Sequence, residues 1–447
     1  MVALWRDKTF PALALTALIL VLYVCLVRAL GVLPDLIGNW SGSSSSWNAE
    51  PIQQWLDPFM ALQSVLDPTE SSLFGVAPAF GFSFVMVVLS ALLNGWGIQR
   101  LRVWNPSGEP IMQREAPIEA EAEEKDRAKA HAAPGMARQV WANPILWREM
   151  RTRAYGRRPL MVKIAYAIVL VLICYYALAP VFTAGERSVI AALTGLIPVG
   201  ILSLLLVSAQ AVTAITSERD TGALDLLLVT DLTPKEFIFG KLLGIVYNTK
   251  EYLLPPFILA VIYAWFHMLA RPPRNHPELS GSWNAEALFA LIVGLLVLLG
   301  FVLVLGVHIA LRIYNSRLAI INALGTVFFL TIGTAVCISL ILINGRFEYQ
   351  WTSFILFIAA AIGGLWWVLN GDRPSTALGI ASLLCPLAVI YSVIDLLVAK
   401  PGSAQTADPL LPLVAIVGAF GFGIAAMLVP LISEFDVALG RTTGAGE

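Results

Sequence analysis

Long apolar runs, separated by short polar segments, extend along almost the whole chain. A transmembrane helix needs about 20 predominantly apolar residues to cross about 30 Å of hydrocarbon. Ten runs approach or exceed that length, at 10–33, 73–98, 160–182, 189–216, 252–270, 287–311, 318–343, 351–369, 375–398 and 410–432. The pattern therefore predicts an all-α polytopic membrane protein with about ten transmembrane helices.

Composition agrees with this prediction, and the placement of positive charge orients the chain. Of its residues 58% are hydrophobic and 13% are charged, whereas soluble proteins carry about 25% charged residues. When the N-terminus is placed inside, only five of the 29 Lys and Arg fall outside: Arg187, Arg271, Arg274, Arg346 and Lys400. Because positive charge concentrates on the cytoplasmic side, both termini are expected there. The chain is thus expected to be an integral, multi-pass protein of the cell (inner, cytoplasmic) membrane.

The run lengths and the charge pattern divide the chain into three parts. Residues 1–103 form a predicted N-terminal unit of two spans, with an outer loop at 34–72 that contains five acids and no Lys or Arg. Residues 104–139 are charged, rich in Ala and bounded by prolines, which is typical of a cytoplasmic linker or a solvated helix. Residues 140–447 form the larger transmembrane domain. The four cysteines lie within apolar runs without metal-ligand spacing, so no metal site is predicted.

The larger domain opens with WANPILWREMRTRAYGRRPL, which predicts a short interfacial helix. Asn143 is a good N-cap and Pro144 suits the first helical position, while Gly156 and Pro159 favour an end. One face carries Trp147, and arginines on the rest are expected to meet lipid phosphates. The residues assigned to this elbow helix are Asn143, Pro144, Trp147, Arg148, Glu149 and Arg151. A simple positive-inside anchor would also explain the arginines, and the sequence leaves that alternative open.

A second interruption, SERDTGALDLLLVTDLTPKEFIFGKLLG at 217–244, carries two helix-start signals. Asp220 or Thr221 can cap a short helix beginning at Gly222. Thr233 and Glu236 form a predicted capping box, with Pro234 at the first position of the next helix. Asp225 and the polar cluster of Glu218, Arg219 and Asp220 are expected to be available for docking.

The insert resembles the first intracellular loop of type 2 ATP-binding-cassette (ABC) exporter permeases. The matching residues are Glu218, Arg219, Asp220, Gly222, Leu224, Asp225, Leu226, Leu227, Thr230, Gly240 and Lys241. NPILWRE resembles the elbow helix of that family, and FDVALGR at 435–441 resembles its cytoplasmic tail. Two features depart from the family: Asp231 stands where proline is usual, and eight runs instead of six follow residue 160. The runs at 351–369 and 375–398 are either an added hairpin or short re-entrant helices.

The resemblance implies the permease subunit of an ATP-driven exporter. Such a subunit pairs with a second permease, as a homodimer or a heterodimer, and docks a cytoplasmic coupling helix in a separate ABC ATP-binding subunit. The residues implied in ATPase coupling are Glu218, Arg219, Asp220, Gly222, Leu224, Asp225, Leu227, Leu228 and Thr230. Those of the coupling turn and the following helix start are Thr233, Pro234, Glu236, Gly240 and Lys241.

The motor activity is expected to reside in another chain. No phosphate-binding GxxxxGK[ST] loop occurs in the sequence, so ATP and Mg are expected to bind the partner ATPase. We expect no cofactor or catalytic site in this chain, and its other partners to be membrane lipids rather than nucleic acid.

An enzyme remains the alternative, in the form of a polytopic transferase acting on a lipid-linked substrate. Its candidate catalytic residues would be the outer-loop acids Asp35, Glu50, Asp57, Asp67 and Glu70. A loop that binds phosphate would be expected to pair acids with basic residues, and this loop has none, which favours a solvated cap. A non-transporting membrane scaffold is the third interpretation.

Overall fold

The structure, a computed structural model, describes residues 9–31, 50–66, 76–104, 141, 143–151, 159–183, 189–228, 232–269, 280–344, 351–371, 374–398 and 410–433. Every regular element within these residues is an α-helix, so the predicted all-α class is confirmed for this part of the chain. The helices are α1 (Thr9–Leu30), α2 (Glu50–Leu56), α3 (Pro58–Leu66), α4 (Pro78–Trp104), α5 (Pro144–Arg151), α6 (Pro159–Thr183), α7 (Val189–Asp220), α8 (Ala223–Leu228), α9 (Pro234–Trp265), α10 (Ser280–Arg312), α11 (Ser316–Asn344), α12 (Trp351–Asn370), α13 (Thr376–Val398) and α14 (Leu410–Ser433).

Seven of these helices are long and apolar enough to cross a membrane, namely α1, α4, α7, α10, α11, α13 and α14. Two more predicted spans coincide with shorter apolar helical segments, Lys163–Tyr175 and Phe354–Asn370. The predicted span at 252–270 falls in the second half of α9, which continues through Pro255 and Pro256 to Trp265. An all-helical chain with seven such helices is a multi-pass membrane protein.

The chain divides into two compact units. The first comprises Met1–Met136 with Arg158–Leu172, and the second comprises Ala137–Arg157 with Ile173–Glu447. In the first unit, α2 lies against α1, α3 and α4, and α3 also packs on α4.

Helix α7 is the centre of the second unit, and 78% of an 18-residue apolar window within its segment Gly195–Asp220 is buried. It packs against α9, α10 and α11, while α14 joins α10 to α13. Gly306 brings α10 close to the α7 backbone, since a Cβ there would press on Ala211 and on the amide of Val212. The rings of Phe301 and Phe420 meet edge to face, with centroids 4.9 Å apart, where α10 meets α14. This packing holds the end of α7 in place against its neighbours.

Candidate functional site

The predicted insert consists of the end of α7, the short helix α8 and the start of α9. Helix α7 continues to Asp220, and the chain then turns through Gly222, whose φ is +70°. That left-handed conformation strains residues with a Cβ and leaves glycine unstrained. Helix α8 begins at Ala223, one residue after the predicted start. The Thr221 hydroxyl donates back to the carbonyl oxygen of Ser217 at 3.0 Å, so it completes α7.

The capping box predicted at the start of α9 is confirmed. The amide of Glu236 donates to Thr233 Oγ1 at 3.3 Å, and the amide of Thr233 donates to Glu236 Oε2 at 3.0 Å. The Thr233 hydroxyl also donates to Glu236 Oε2, at 2.7 Å. These hydrogen bonds, from the hydroxyl first and the amide second, lower the pKa of the Glu236 carboxyl. Pro234 occupies the first turn, as predicted.

The predicted elbow helix is α5, and its predicted N-cap is also confirmed. The amide of Leu146 donates to Asn143 Oδ1 at 3.0 Å. The other side-chain atom of this residue, Nδ2, donates to the carbonyl oxygen of Glu236 at 2.9 Å and so joins α5 to α9. Helix α5 ends at Arg151, and the predicted stop at Gly156 lies outside the described residues.

Two glycines allow α5 to lie directly on α9. A Cβ at Gly240 would come within 2.8 Å of both Asn143 Oδ1 and Ile145 Cβ. A Cβ at Gly244, one turn later, would press on the side chain of Glu149 at 2.6 Å. Small residues four apart therefore form a flat seat for α5, as in closely packed membrane helices.

Between α5, α7 and α9 lies a group of four charged side chains, which we name the Lys241 cluster: Arg148, Glu149, Glu218 and Lys241. Lys241 Nζ lies 2.6 Å from Glu149 Oε1 and 2.6 Å from Glu218 Oε2. Arg148 pairs with Glu218 and lies 3.3 Å from Glu149 Oε1. The side chains of Lys241 and Glu149 are each 1% exposed, and that of Glu218 is 16% exposed.

The formal charges of the Lys241 cluster sum to zero. Desolvating an ion is costly, and a buried pair is tolerable when geometry and further hydrogen bonds compensate for it. Lys241 meets this condition because its ammonium group donates to Glu149 Oε1 and also lies 2.6 Å from the second carboxylate, that of Glu218. Two members come from α5 and one each from α7 and α9, so the cluster ties these three helices together.

The next two residues of α7 reach two further helices. Arg219 donates to the carbonyl oxygens of Ala310 and, at 2.6 Å, of Ile313, and so supplies a cation to the C-terminal end of α10. Asp220 Oδ1 accepts from the Ser316 hydroxyl, 2.6 Å away, at the first residue of α11. Three successive residues, Glu218 to Asp220, thus connect α7 to four other helices.

These contacts involve residues of the insert and of α5 that were expected to bind a partner or lipid. Glu218, Arg219 and Asp220 were expected to be available for docking, yet all three bond within the chain. Arg148 was expected to face lipid phosphates, and it pairs with Glu218. Leu224 is buried at 3% exposure. The bonds of Glu218, Arg219 and Asp220 therefore fix the end of α7, from which the chain turns into α8.

Other predicted residues of the insert are described in part. Leu227 is half-buried, while for Asp225, Leu226 and Leu228 only the helical backbone of α8 is described. Thr230, Asp231 and the tail segment 435–441 lie outside the described residues. Trp147 is half-buried on α5, and Arg151 is exposed.

Among the outer-loop acids, Asp57 is not the isolated residue that its loop suggested. It is fully buried and lies 2.5 Å from Arg28 Nε of α1, while its Oδ1 caps α3 by accepting from the amide of Phe59 at 2.8 Å. Glu50 is exposed at the start of α2, and Asp35, Asp67 and Glu70 lie outside the described residues.

The pairing of Lys241 with Glu149 was not anticipated. Residues 92 positions apart carry no local signal of contact. The available signal was that Glu149, Glu218 and Lys241 are charges beside long apolar runs, where isolated ions are costly. Because two of these residues are acidic and one is basic, their pairing in one cluster could have been predicted.

The chain matches no protein-family model, no curated protein and no solved structure in the comparisons with known proteins.

Proposed function

We propose that the chain is the membrane-spanning permease subunit of an ATP-driven ABC transporter, and that it works as an exporter. In this function α8 is a coupling helix that docks on a separate ATP-binding subunit, and that subunit binds ATP and Mg. A second permease subunit completes the translocation unit. The proposal includes ten spans, with both termini and α8 on the cytoplasmic side of the cell membrane.

The observation that supports this proposal best is the way in which α8 is held. Its preceding helix is fixed to α5 and α9 by the Lys241 cluster, and to α10 and α11 by Arg219 and Asp220. A helix that transmits motion must be joined firmly to the segments that it moves. A push on α8 would therefore displace five helix ends together.

The internal bonding of Glu218 to Asp220 assigns the two parts of the insert different roles. The charged residues at the end of α7 position the coupling helix α8. In this proposal α8 and the segment that follows it to Thr233 form the surface for the ATPase. The backbone supports this division between the end of α7 and α8. Gly222 lies between the two parts, and it is the only glycine with positive φ among the described residues.

Site-specific photocrosslinking from position 225 in native membranes tests the proposal. A photoreactive amino acid there is expected to label an ABC-type ATPase, identified by mass spectrometry of the adduct. Gly222→Pro should abolish this adduct, because proline holds φ near −65° and cannot adopt +70°.

A probe at the exposed Gln63 of α3 is the matched control, since the proposed topology puts it across the membrane from α8. It should give no ATPase adduct. Labelling of lipid or of the same chain alone from position 225, in a protein that is folded and inserted, would overturn the coupling assignment.

A further inference from the structure

The helix pair α2–α3 of the first unit has an inverted distribution of polar and apolar side chains. Gln53, Gln54 and Asp57 are buried, with exposed fractions of 9%, 6% and 0%. The large apolar residues point outward: Ile52 is 40% exposed, Phe59 49%, Leu62 43% and Val65 62%. In water, polar residues lie mostly outside and large apolar residues mostly inside. The arrangement in α2–α3 is the one that hydrocarbon favours.

The turn between α2 and α3 lies beside the apolar part of α1 and not beyond its end. The Tyr23 hydroxyl donates to the carbonyl oxygen of Leu56 at 2.7 Å. Tyr23 precedes the last residue of α1 by seven positions, which is about 10 Å along a helix axis. Arg28, which reaches Asp57, also precedes apolar residues that continue to position 33.

Helix α4 contacts the pair at its first turn. The Trp55 indole occupies the space into which a Cβ at Gly81 would project, and Gly81 lies three residues after the start of α4. Of the two flanking helices, α1 therefore continues past the α2–α3 turn with apolar residues.

The backbone of Asp57 and its carboxylate have partners within the chain, as the interior of a membrane requires. The amide of Asp57 donates to the carbonyl oxygen of Gln53 at 2.8 Å, and its own carbonyl oxygen accepts from Ala61 at 3.0 Å. Its carboxylate caps α3 and pairs with Arg28. An unpaired charge or a free backbone group in hydrocarbon costs several kcal/mol, so such matching permits a break between helices at depth.

The exposed polar residues of the pair lie away from the turn. Glu50 is the first residue of α2, and Gln63 lies five residues after the start of α3. Polar side chains at these ends can reach the headgroup region while the turn between the helices stays deeper.

From this geometry we infer that α2–α3 is a re-entrant helix pair in the leaflet that holds the C-terminal end of α1, and that its face of Ile52, Phe59, Leu62 and Val65 binds lipid acyl chains. We name these four residues the α2–α3 apolar face. The occupant is membrane lipid, because the buried side of the pair is polar, its outward side is apolar, and its turn lies beside the apolar part of α1. The inference replaces the solvated cap expected from the sequence, and it does not depend on the proposed transport function.

Spin-label accessibility of the full chain in lipid nanodiscs tests this inference. A ketone-bearing amino acid, introduced by stop-codon suppression and labelled with a nitroxide, leaves the native cysteines untouched. Labels at 59, 62 and 65 are expected to collide more with oxygen, which partitions into hydrocarbon, than with a water-soluble nickel chelate. Phe84, 65% exposed on α4, is the control for lipid, and Tyr314, 88% exposed between α10 and α11, is the control for water.

Two outcomes would overturn the inference. If the labels at all three positions collide more with the nickel chelate than with oxygen, the α2–α3 apolar face lies in water. Low collision with both reagents would mean that protein, such as a second copy of the chain, covers the face.

A charge variant provides a second measurement. Arg28→Gln leaves Asp57 charged and unpaired at depth, so the apparent Tm should fall clearly, and the double variant Arg28→Gln/Asp57→Asn should recover most of the loss. If Arg28→Gln alone does not fold, recovery of folded protein in the double variant gives the same result. An unchanged Tm in Arg28→Gln would instead indicate that the pair is exposed to water, because surface ion pairs contribute little.

Discussion

A buried lysine is stable in its charged form only beside acceptors, and Lys241 has two carboxylates within 2.6 Å. Its side chain is 1% exposed, so water cannot replace either of them. Removing one member of a buried ion pair leaves an uncompensated charge, which costs about 3–5 kcal/mol. We therefore expect the stability of the protein to fall when one charge of the Lys241 cluster is removed, and to fall less when an opposite charge is removed with it.

Lys241→Met is predicted to destabilise the protein by about 3–5 kcal/mol, because the carboxylates of Glu149 and Glu218 would then share Arg148 within the cluster and Glu149 would stay buried. Thermal unfolding of the protein in detergent, followed by tryptophan fluorescence, measures the effect as a lower apparent Tm. Adding Glu149→Gln to this variant should restore part of the loss, since the unpaired charge is then removed.

Lys250→Met is the matched control on the same helix. Lys250 is exposed and lies 4.3 Å from the centroid of the Tyr247 ring, so its loss should cost about 1 kcal/mol or less. Equal Tm losses in the two methionine variants would argue against a desolvated cluster at Lys241.

At the scale of the element, the start of α9 was predictable because its signals are local. Thr233, Pro234 and Glu236 lie within four positions of one another, and their bonds form whenever the helix forms. The same holds for Asn143 and Leu146 at the start of α5. The seat of α5 on Gly240 and Gly244 was not predictable, because it joins segments about 95 residues apart.

The Glu236 carboxylate is predicted to contribute stability that depends on pH. Its pKa in the folded protein lies below the ordinary value of 4.5, because Thr233 donates to it from its hydroxyl and its amide. The contribution is thus complete above about pH 4.5 and is lost as the pH falls through the lowered folded pKa. Glu236→Gln keeps a capping side chain without charge, so its Tm should lie below that of the wild type at pH 6 and approach it under acid conditions.

The comparison requires Tm values for both proteins between pH 6 and pH 3.5. A difference that is constant over this range, or that grows under acid conditions, would contradict a charge-dependent cap at Thr233.

At the scale of the whole molecule, the helical class followed from the apolar runs, whereas the number of spans depends on α6, α9 and α12, which are not among the seven helices long and apolar enough to cross a membrane. Large apolar side chains are exposed on many of the described helices and include Trp366 and Trp367 of α12. In hydrocarbon the backbone is satisfied by a helix or a closed barrel. This constraint makes the class predictable from the length of the apolar runs.

Reporter fusions in a bacterial host test the ten-span topology. An alkaline phosphatase fused after Asn344, at the end of α11, should be active, because that end lies outside in this topology. The same enzyme fused after Gly371 should be inactive, and a fluorescent protein there should fluoresce, because α12 would have crossed back to the cytoplasm. Active phosphatase at both positions would identify α12 and α13 as re-entrant helices.

The sequence by itself determined the helical membrane class, the short helix α5 with its Asn143 cap, and the capping box of Thr233 and Glu236. Each of these depends on the period or the chemistry of neighbouring residues. Only the tertiary structure decided that Glu218 to Asp220 are engaged within the chain, that Lys241 joins Glu149 to Glu218, and that Asp57 meets Arg28. Those pairings follow from how distant helices pack. In a membrane protein such packing also decides which charges are neutralised and which faces remain for lipid or for partners.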